Sequence, residues 1–158
     1  MEIRFAKPGD VPAIIKLLRQ VGKVHSDGRP DIFRLGAQKY SPSQILAMLD
    51  DPEQPIFIAA EGAQVLGYGF CQMQTYEKDP VMTDRTELYL DDLCVDADTR
   101  GKGVGKALYA AIRDYAKQRR CHSISLNVWA CNPTAYKFYV NLGLLPRKTY
   151  MEELLDAD

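Results

Sequence analysis

The chain has 158 residues, with 20 Lys and Arg against 21 Asp and Glu and a formal net charge of -1. This balance excludes a strongly basic nucleic-acid binder, whose affinity depends on neutralising phosphates. No apolar run approaches the roughly 20 residues that a membrane span needs, and the charged N-terminus, interrupted by Pro8 and Pro12, does not fit a signal peptide. Length and composition therefore predict one soluble, cytoplasmic domain over residues 1–158, large enough to fold around its own core.

The cysteine and histidine content favours neither disulfides nor a metal site. The four cysteines, none of them in a C-x-x-C pair, are Cys71, Cys94, Cys121 and Cys131. Zinc sites usually take their ligands from close sequence pairs, and only His25 and His122 could join the cysteines. We expect reduced thiols that pack as small apolar side chains, and no bound metal.

The first third of the chain predicts a strand followed by two helices. Residues 2–6 alternate apolar and polar side chains, which suits a short strand. Asp10 can cap a helix that carries an apolar face and ends near Gly22, whereas residues 23–40 have no clean period and predict a loop or a broken helix. Ser41 is the expected cap of the second helix, with a proline at the first helical position and a glutamine that completes a capping box.

Three strands follow in the middle of the chain. Residues 55–60 and 64–76 are apolar runs on either side of a turn at Gly62, and they predict a hairpin. A polar excursion over residues 77–86 then leads to a third strand at residues 87–95.

The last third predicts a helix, a strand, a helix and a strand. An amphipathic helix separates strand 87–95 from a strand at 123–128, and the three form a right-handed crossover unit. A final helix opens at Asn132 and closes at Gly143, and residues 148–155 predict a closing strand. This order of elements is that of a mixed α/β layered domain.

A glycine-rich segment between strand 87–95 and the following helix carries the strongest chemical signal. Residues 100–106 read RGKGVGK, with three glycines and three cations. Glycines remove the side chains that would keep a ligand away from the backbone amides. The first N–H groups of a helix lack intrahelical acceptors and carry partial positive charge. Such a turn binds phosphate groups.

Two common phosphate-binding motifs do not fit this segment. A P-loop needs G-x-x-x-x-G-K-[ST], but Arg100 stands at the position of the first glycine and Ala107 replaces the hydroxyl residue that binds magnesium. The dinucleotide fingerprint G-x-G-x-x-G fails because Lys106 or Leu108 falls where its third glycine is required. A nucleotide-binding phosphotransferase is therefore disfavoured.

Two motifs together resemble the GNAT superfamily of N-acetyltransferases. The first, R-x-x-G-x-G at Arg100, Gly103 and Gly105, lies between a strand and an amphipathic helix and looks like the acetyl-CoA loop of that family. The second, N-x-x-A-x-x-F-Y-x-x-L-G over residues 132–143, is similar to the family's final helix motif. The resemblance implies an α/β (α+β) fold: a mixed, mostly antiparallel sheet with a central splayed parallel strand pair and helices on both faces. It also implies an N-acetyltransferase that uses acetyl-CoA as its cosubstrate.

The resemblance places coenzyme A on the glycine-rich segment and on the strand before it. Main-chain amides of residues 100–106 would hold the pyrophosphate. The pantetheine arm carries two amides, so it could pair with the splayed strand as an extra strand would. The residues implied in coenzyme binding are Leu93, Cys94, Val95, Arg100, Gly101, Lys102, Gly103, Val104, Gly105, Lys106 and Asn132.

Tyr139 and Asp91 are the catalytic residues that the resemblance implies. Tyr139 would protonate the departing thiolate, although its apolar helix face also suits a core aromatic. Asp91 would accept the proton that the acceptor amine must lose before it attacks. Because neighbouring side chains of a regular strand point to opposite faces, we expect only one of Asp91 and Asp92 to reach the acceptor. A local bulge could make Asp92 that residue, and a buried structural carboxylate is an equal alternative.

The acceptor amine attacks acetyl-CoA directly, in a ternary complex, if the resemblance holds. The region around His25 would shape the acceptor pocket, with a plain solvated loop as the alternative, and residues 77–86 would form another wall. Acidic residues in both regions favour a cationic amine such as a polyamine, a lysine side chain or a small aminated metabolite. An acetyl-cysteine intermediate at Cys94 is disfavoured because no histidine lies nearby in sequence. The family also implies a homodimer. The alternative function is a non-catalytic acyl-CoA sensor or regulatory module.

Overall fold

The computed structural model describes residues 1–155, which form two compact units, Met1–Asn127 and the residues from Val128 onward. The first unit contains, in chain order, β1 (Glu2–Phe5), α1 (Val11–Gly28), α2 (Pro42–Leu49), β2 (Ile56–Glu61), β3 (Gln64–Tyr76), β4 (Arg85–Val95), α3 (Val104–Gln118) and β5 (Ser123–Ser125). Short 3-10 turns precede α1 and follow β4. The second unit contains α4 (Pro133–Asn141). Among the described residues, no helix is long and apolar enough to cross a membrane.

The five strands form one sheet in the order β1-β2-β3-β4-β5. Strands β1 to β4 are antiparallel, and β5 runs parallel to β4 after α3, as predicted. Within residues 1–155, β5 pairs only with the stretch of β4 from Glu87 to Tyr89. The described pairing of β4 with β5 ends there, so the predicted strand 123–128 is wrong after Ser125.

Side chains of β2 alternate between the two faces of the sheet, and helices cover both. Ile56 and Ile58 join Phe70 in a buried cluster with α1 and α2. On the opposite face the ring of Phe57 lies 5.5 Å from that of Tyr115 of α3. The mixed, mostly antiparallel sheet with helices on both faces therefore confirms the predicted fold class.

Helix α1 differs from its prediction at both ends. The Asp10 carboxylate makes no capping bond to α1; it accepts two hydrogen bonds from the Arg4 guanidinium, at 2.7 and 2.9 Å. The helix does not end near Gly22 but continues to Gly28. A Cβ on Gly22 would lie 2.9 Å from the main-chain oxygen of Ala37. This glycine therefore serves the close approach of the segment that follows α1, rather than the end of the helix.

Helix α2 begins as predicted. The Ser41 hydroxyl accepts a hydrogen bond from the Gln44 N–H at 3.2 Å, and the Gln44 side chain accepts one from the Ser41 N–H at 2.8 Å. This capping box satisfies two backbone donors and fixes where the helix starts.

The second unit confirms one prediction and corrects another. The Asn132 side chain accepts a hydrogen bond from the Ala135 N–H at 3.1 Å, which caps α4. The predicted closing strand at 148–155 is wrong, because no described residue after α4 belongs to a strand. An extended segment becomes a strand only when a neighbour supplies its ladder hydrogen bonds.

Candidate active site

The turn before α3 presents the first backbone amides of that helix. Gly101 and Gly103 adopt left-handed conformations with φ of +78° and +80°, which disfavour other residues. An added Cβ at either glycine would meet no atom within 4 Å, so the space beside the turn is open. Gly103 is the N-cap of α3. The turn therefore has the form of an anion-binding helix terminus, with Arg100 and Lys102 beside it.

Hydrogen bonds from the preceding segment hold this turn in place. The Asp96 carboxylate accepts from the Asp98 N–H at 3.1 Å, and this bond holds the pKa of Asp96 below its usual value. The Thr99 hydroxyl donates to the main-chain oxygen of Asp96 at 3.1 Å. The Arg100 guanidinium donates to the main-chain oxygen of Val95 at 3.4 Å. The end of β4 and the glycine turn are thereby linked.

A bulge interrupts β4 at the acidic pair. Phe70 of β3 lies opposite Asp92, and the next residue, Cys71, lies opposite Leu90, so Asp91 is an extra residue without a counterpart on β3. The expectation that the two carboxylates point to opposite faces is therefore wrong. A bulge breaks the two-residue alternation on which that expectation depends.

Both carboxylates instead bind tyrosines on the face that carries α1 and α2. The Tyr40 hydroxyl donates to Asp91 Oδ2 at 2.5 Å, and the Tyr68 hydroxyl donates to Asp92 Oδ2 at 2.8 Å. The two tyrosine rings pack against the Phe70 ring, with centroids 5.2 and 5.0 Å away. The bulge thus gathers two acidic groups at one place on one face of the sheet.

Asp91 and Asp92 have different electrostatic surroundings. Burial raises the pKa of Asp92 to about 6, although Lys39 and the hydrogen bond from Tyr68 oppose the rise. The Lys39 ammonium lies 2.9 Å from Asp91 Oδ2. Burial and the neighbouring Asp91 carboxylate raise the pKa of Tyr40, so its hydroxyl remains a donor.

Sequence reasoning missed the three side chains that partner the acidic pair. Lys39 and Tyr40 lie in the aperiodic segment after α1, and nothing in their spacing connects them with a strand fifty residues later. Tyr68 lies in an apolar strand, where it reads as an ordinary core residue. Only the fold brings these groups to Asp91 and Asp92.

The thiol of Cys94 is unsuited to act as a nucleophile. Its Sγ is buried and donates to the main-chain oxygen of Leu17 at 3.5 Å. Burial raises the pKa of Cys94 to about 12, so the thiol is protonated at neutral pH. This environment argues against an acetyl-cysteine intermediate. Within residues 1–155, no group of three or more His, Cys, Asp or Glu side chains is placed to hold a metal ion.

The remaining candidate residues fall into both units. Leu93 and Val95 pair with Gly69 and Gly67 of β3. Among the described residues no strand pairs with them on their other side. In the second unit, the half-buried Tyr139 lies on α4, with its ring 5.1 Å from that of the preceding phenylalanine.

The glycine turn, strand β4 and the acidic bulge all lie within a part of the chain that matches a known protein family. The sequence profile of the Acetyltransferase (GNAT) family matches residues 23–144. The chain belongs to this family. The resemblance seen in the sequence and the expected N-acetyltransferase activity are thereby confirmed, and acetyl-CoA is the acetyl donor that GNAT membership implies.

Two curated relatives span most of the GNAT chain. It is 29% identical over 143 residues to the uncharacterized N-acetyltransferase YhfO of Bacillus subtilis, which covers 90% of this chain and 89% of that protein. It is 26% identical over 153 residues to the thialysine N-epsilon-acetyltransferase of Bos taurus, with 89% of this chain and 82% of that protein covered.

Solved structures agree with the GNAT assignment. A mutant form of the BH1408 protein from Bacillus halodurans superposes with a TM-score of 0.94 at 31% identity, covering 98% of this chain and 99% of that chain. An aminoglycoside acetyltransferase from an uncultured soil metagenomic sample, in complex with sisomicin, has a TM-score of 0.72 at 15% identity, with coverage of 99% and 96%. The second likeness shows the fold alone.

Replacing Asp92 with asparagine should make stability less dependent on pH. The folded-state pKa of about 6 exceeds the ordinary value of 3.8, so the folded protein binds more protons between these values and loses stability as pH rises through them. Each pKa unit corresponds to about 1.4 kcal/mol. The free energy of unfolding of Asp92→Asn, relative to that of the wild type, should therefore rise by roughly 1–3 kcal/mol from pH 4 to pH 7. Urea unfolding across this range measures the difference.

The exposed Asp50→Asn variant is the matched control, because it removes one carboxylate away from the bulge. It should shift the free energy of unfolding by a similar amount at every pH in this range. A constant offset for Asp92→Asn as well would show that the ionisation of Asp92 is not opposed by folding.

Proposed function

We propose that the protein transfers the acetyl group of acetyl-CoA to a cationic primary amine by direct attack in a ternary complex. The observation that carries this proposal is the arrangement along β4. The acidic bulge at Asp91 lies four residues before Val95, where the strand ends and the phosphate-binding turn follows. The acidic site on this strand would bind the cationic amine, and the anion site after it would bind the phosphates of acetyl-CoA.

Coenzyme A binding is proposed for the turn and the adjoining part of β4. The open left-handed turn and the helix N-terminus support a pyrophosphate contact, since backbone amides and cations converge there. Leu93 and Val95 pair with β3 on one side, and among the described residues no strand pairs with them on the other side. This open side supports a pantetheine contact there. The proposed coenzyme residues are Leu93, Cys94, Val95, Arg100, Gly101, Lys102, Gly103, Val104, Gly105, Lys106 and Asn132.

The proposed reaction moves protons or charge at three places: the acceptor amine, the thioester carbonyl and the departing thiolate. The acceptor ammonium loses a proton to Asp91, with Asp92 adding a second negative charge on the same face. The neutral amine attacks the thioester carbonyl, whose oxygen gains negative charge that an N–H near Leu93 could stabilise. Collapse of the tetrahedral intermediate breaks the C–S bond and forms the amide. Tyr139 protonates the departing thiolate, and the second proton that the amine nitrogen loses passes to solvent, from which the tyrosine regains its own.

A small alkylamine is the proposed acceptor: a polyamine, a lysine side chain or a small aminated metabolite. Two carboxylates at the bulge favour a cation there. The bovine relative is named for transfer to the ε-amine of thialysine, which is a primary alkylamine. Thialysine is therefore a suitable first substrate for turnover assays.

The cytoplasm is the proposed location, and one folded domain over residues 1–158 is the proposed organisation. All four cysteines are free thiols, which suits a reducing compartment. The GNAT profile runs through the boundary between the two compact units, which supports treating them as parts of one functional domain.

Acetyl-CoA should bind selectively to the purified protein in calorimetric titration, with ATP–magnesium and NAD giving no comparable signal. Lys102→Glu should weaken acetyl-CoA binding about tenfold or more, because it places a negative charge at the phosphate turn. Lys117→Glu, at the other end of α3, makes the same charge change and should retain affinity. Failure of a folded wild type to bind acetyl-CoA would refute the proposed coenzyme site.

Tyr139→Phe should lower kcat about a hundredfold, the usual contribution of a general acid, while the Kd for acetyl-CoA stays within a factor of about three. Tyr136→Phe on the exposed side of α4 removes the same hydroxyl group elsewhere and should leave kcat unchanged. Unaltered turnover in Tyr139→Phe would contradict its role as the acid.

A homodimer is also proposed, with the C-terminal segment covered by a second copy. Five large apolar side chains of this segment are exposed: Leu145, Tyr150, Met151, Leu154 and Leu155. Exposed apolar groups concentrated in one segment mark an association surface, and an extended segment can add to a sheet edge of another copy.

The molar mass from light scattering should be that of two chains for the wild type, and that of one chain for Leu154→Asp with Leu155→Asp. The charge introduced by both substitutions would oppose burial of the segment. Val81→Asp, at another exposed apolar residue, should remain dimeric. A wild type with the mass of one chain would disprove the proposal.

A further inference from the structure

Lys39 places a primary ammonium on the proposed catalytic carboxylate. Its Nζ lies 2.9 Å from Asp91 Oδ2 and donates to the main-chain oxygen of Asp91 at 3.2 Å. We propose that these two oxygens form the ammonium subsite of the acceptor, and that Lys39 occupies this subsite whenever no acceptor is bound. This inference rests on the proposed function and narrows it, because it requires the acceptor to bind as an alkylammonium ion.

The resting enzyme needs a cation at this place. The Asp91 side chain is only 12% exposed, and Asp92 lies beside it on the same face. Removing charged carboxylates from water without a partner is strongly unfavourable. The Tyr40 hydroxyl provides a hydrogen bond to Asp91 but no charge. Lys39 supplies the positive charge, and an acceptor ammonium would replace it one for one without leaving Asp91 uncompensated.

Lys39 can leave the subsite without disturbing the packing around it. Its side chain is 43% exposed, so rotation about its own bonds can move the ammonium into solvent. The main chain beside it is held separately. The Tyr40 ring packs on Phe70, and the Gln38 side chain donates to the main-chain oxygen of Tyr40 at 2.8 Å. The exchange is therefore a change of one flexible side chain over a fixed segment.

The occupied subsite has a kinetic consequence that depends on the charge of the acceptor. A tethered lysine competes at high effective concentration, so the fraction of enzyme ready to bind an ammonium is small and the apparent affinity falls by that fraction. A neutral amine gains nothing from the negative subsite and meets no such electrostatic competition. Lys39 thus makes the enzyme bind cationic acceptors more weakly than the carboxylates alone would allow.

Lys39→Met tests this competition, because methionine keeps an unbranched stem and removes the charge. With n-butylamine as the charged probe and coenzyme A present, calorimetry should show about tenfold tighter amine binding to Lys39→Met than to the wild type. Aniline, which is uncharged at neutral pH, should bind both proteins equally. In turnover of thialysine, Lys39→Met should have a lower KM than the wild type and a kcat within about twofold of it.

Two control variants separate competition from structure. Lys39→Arg keeps a cation and should retain the weak butylamine binding of the wild type. Lys23→Met removes an exposed cation that pairs with Asp27 on α1, and it should change the affinity for neither amine. Should Lys39→Met fail to fold, as judged by thermal unfolding, Lys39→Gln replaces it.

Equal butylamine affinity in the wild type and the Lys39 variants, including undetectable binding by both, overturns the inference. Weaker binding by the variants also overturns it, because Lys39 would then assist the acceptor. These results leave the proposed function standing as long as acetyl-CoA binds. Loss of acetyl-CoA binding in the wild type would instead refute the proposed function itself.

Discussion

The bulge in β4 is the constraint on which the candidate active site depends. By adding Asp91 without a counterpart on β3, it breaks the alternation of a regular strand and turns two successive carboxylates toward the same helices. The bulge is a shift of a single residue in the pairing of β3 with β4. It nevertheless decides whether β4 presents one acidic group or two at the same place.

Those carboxylates in turn require partners, and the fold supplies them from distant parts of the chain. Tyr68 comes from the adjoining strand, while Lys39 and Tyr40 come from the segment after α1. The close approach at Gly22 allows that segment to lie against the helix. Charge compensation and backbone packing therefore act together, and desolvation still holds the pKa of Asp92 above its usual value.

The two ends of the site are joined through one strand. From Asp91 to Val95 an extended chain advances about 13 Å, and the glycine turn follows the end of the strand. Negative charge at the bulge suits a cationic amine, while the amides and cations of the turn suit an anion. A donor that carries phosphates at one end and a reactive carbonyl at the other matches this separation. Acetyl-CoA, the donor that membership of the GNAT family implies, is such a molecule.

The sequence by itself determined the elements whose signals are local. Ser41 and Asn132 cap their helices with their own side chains, and the glycine turn before α3 needs only its own residues, so neighbouring positions suffice to predict them. The tertiary structure alone decided the bulge, the extension of α1 beyond Gly22 and the lack of a strand at 148–155. Each depends on hydrogen bonds or contacts with residues far away in the chain, and a local pattern contains no information about such partners.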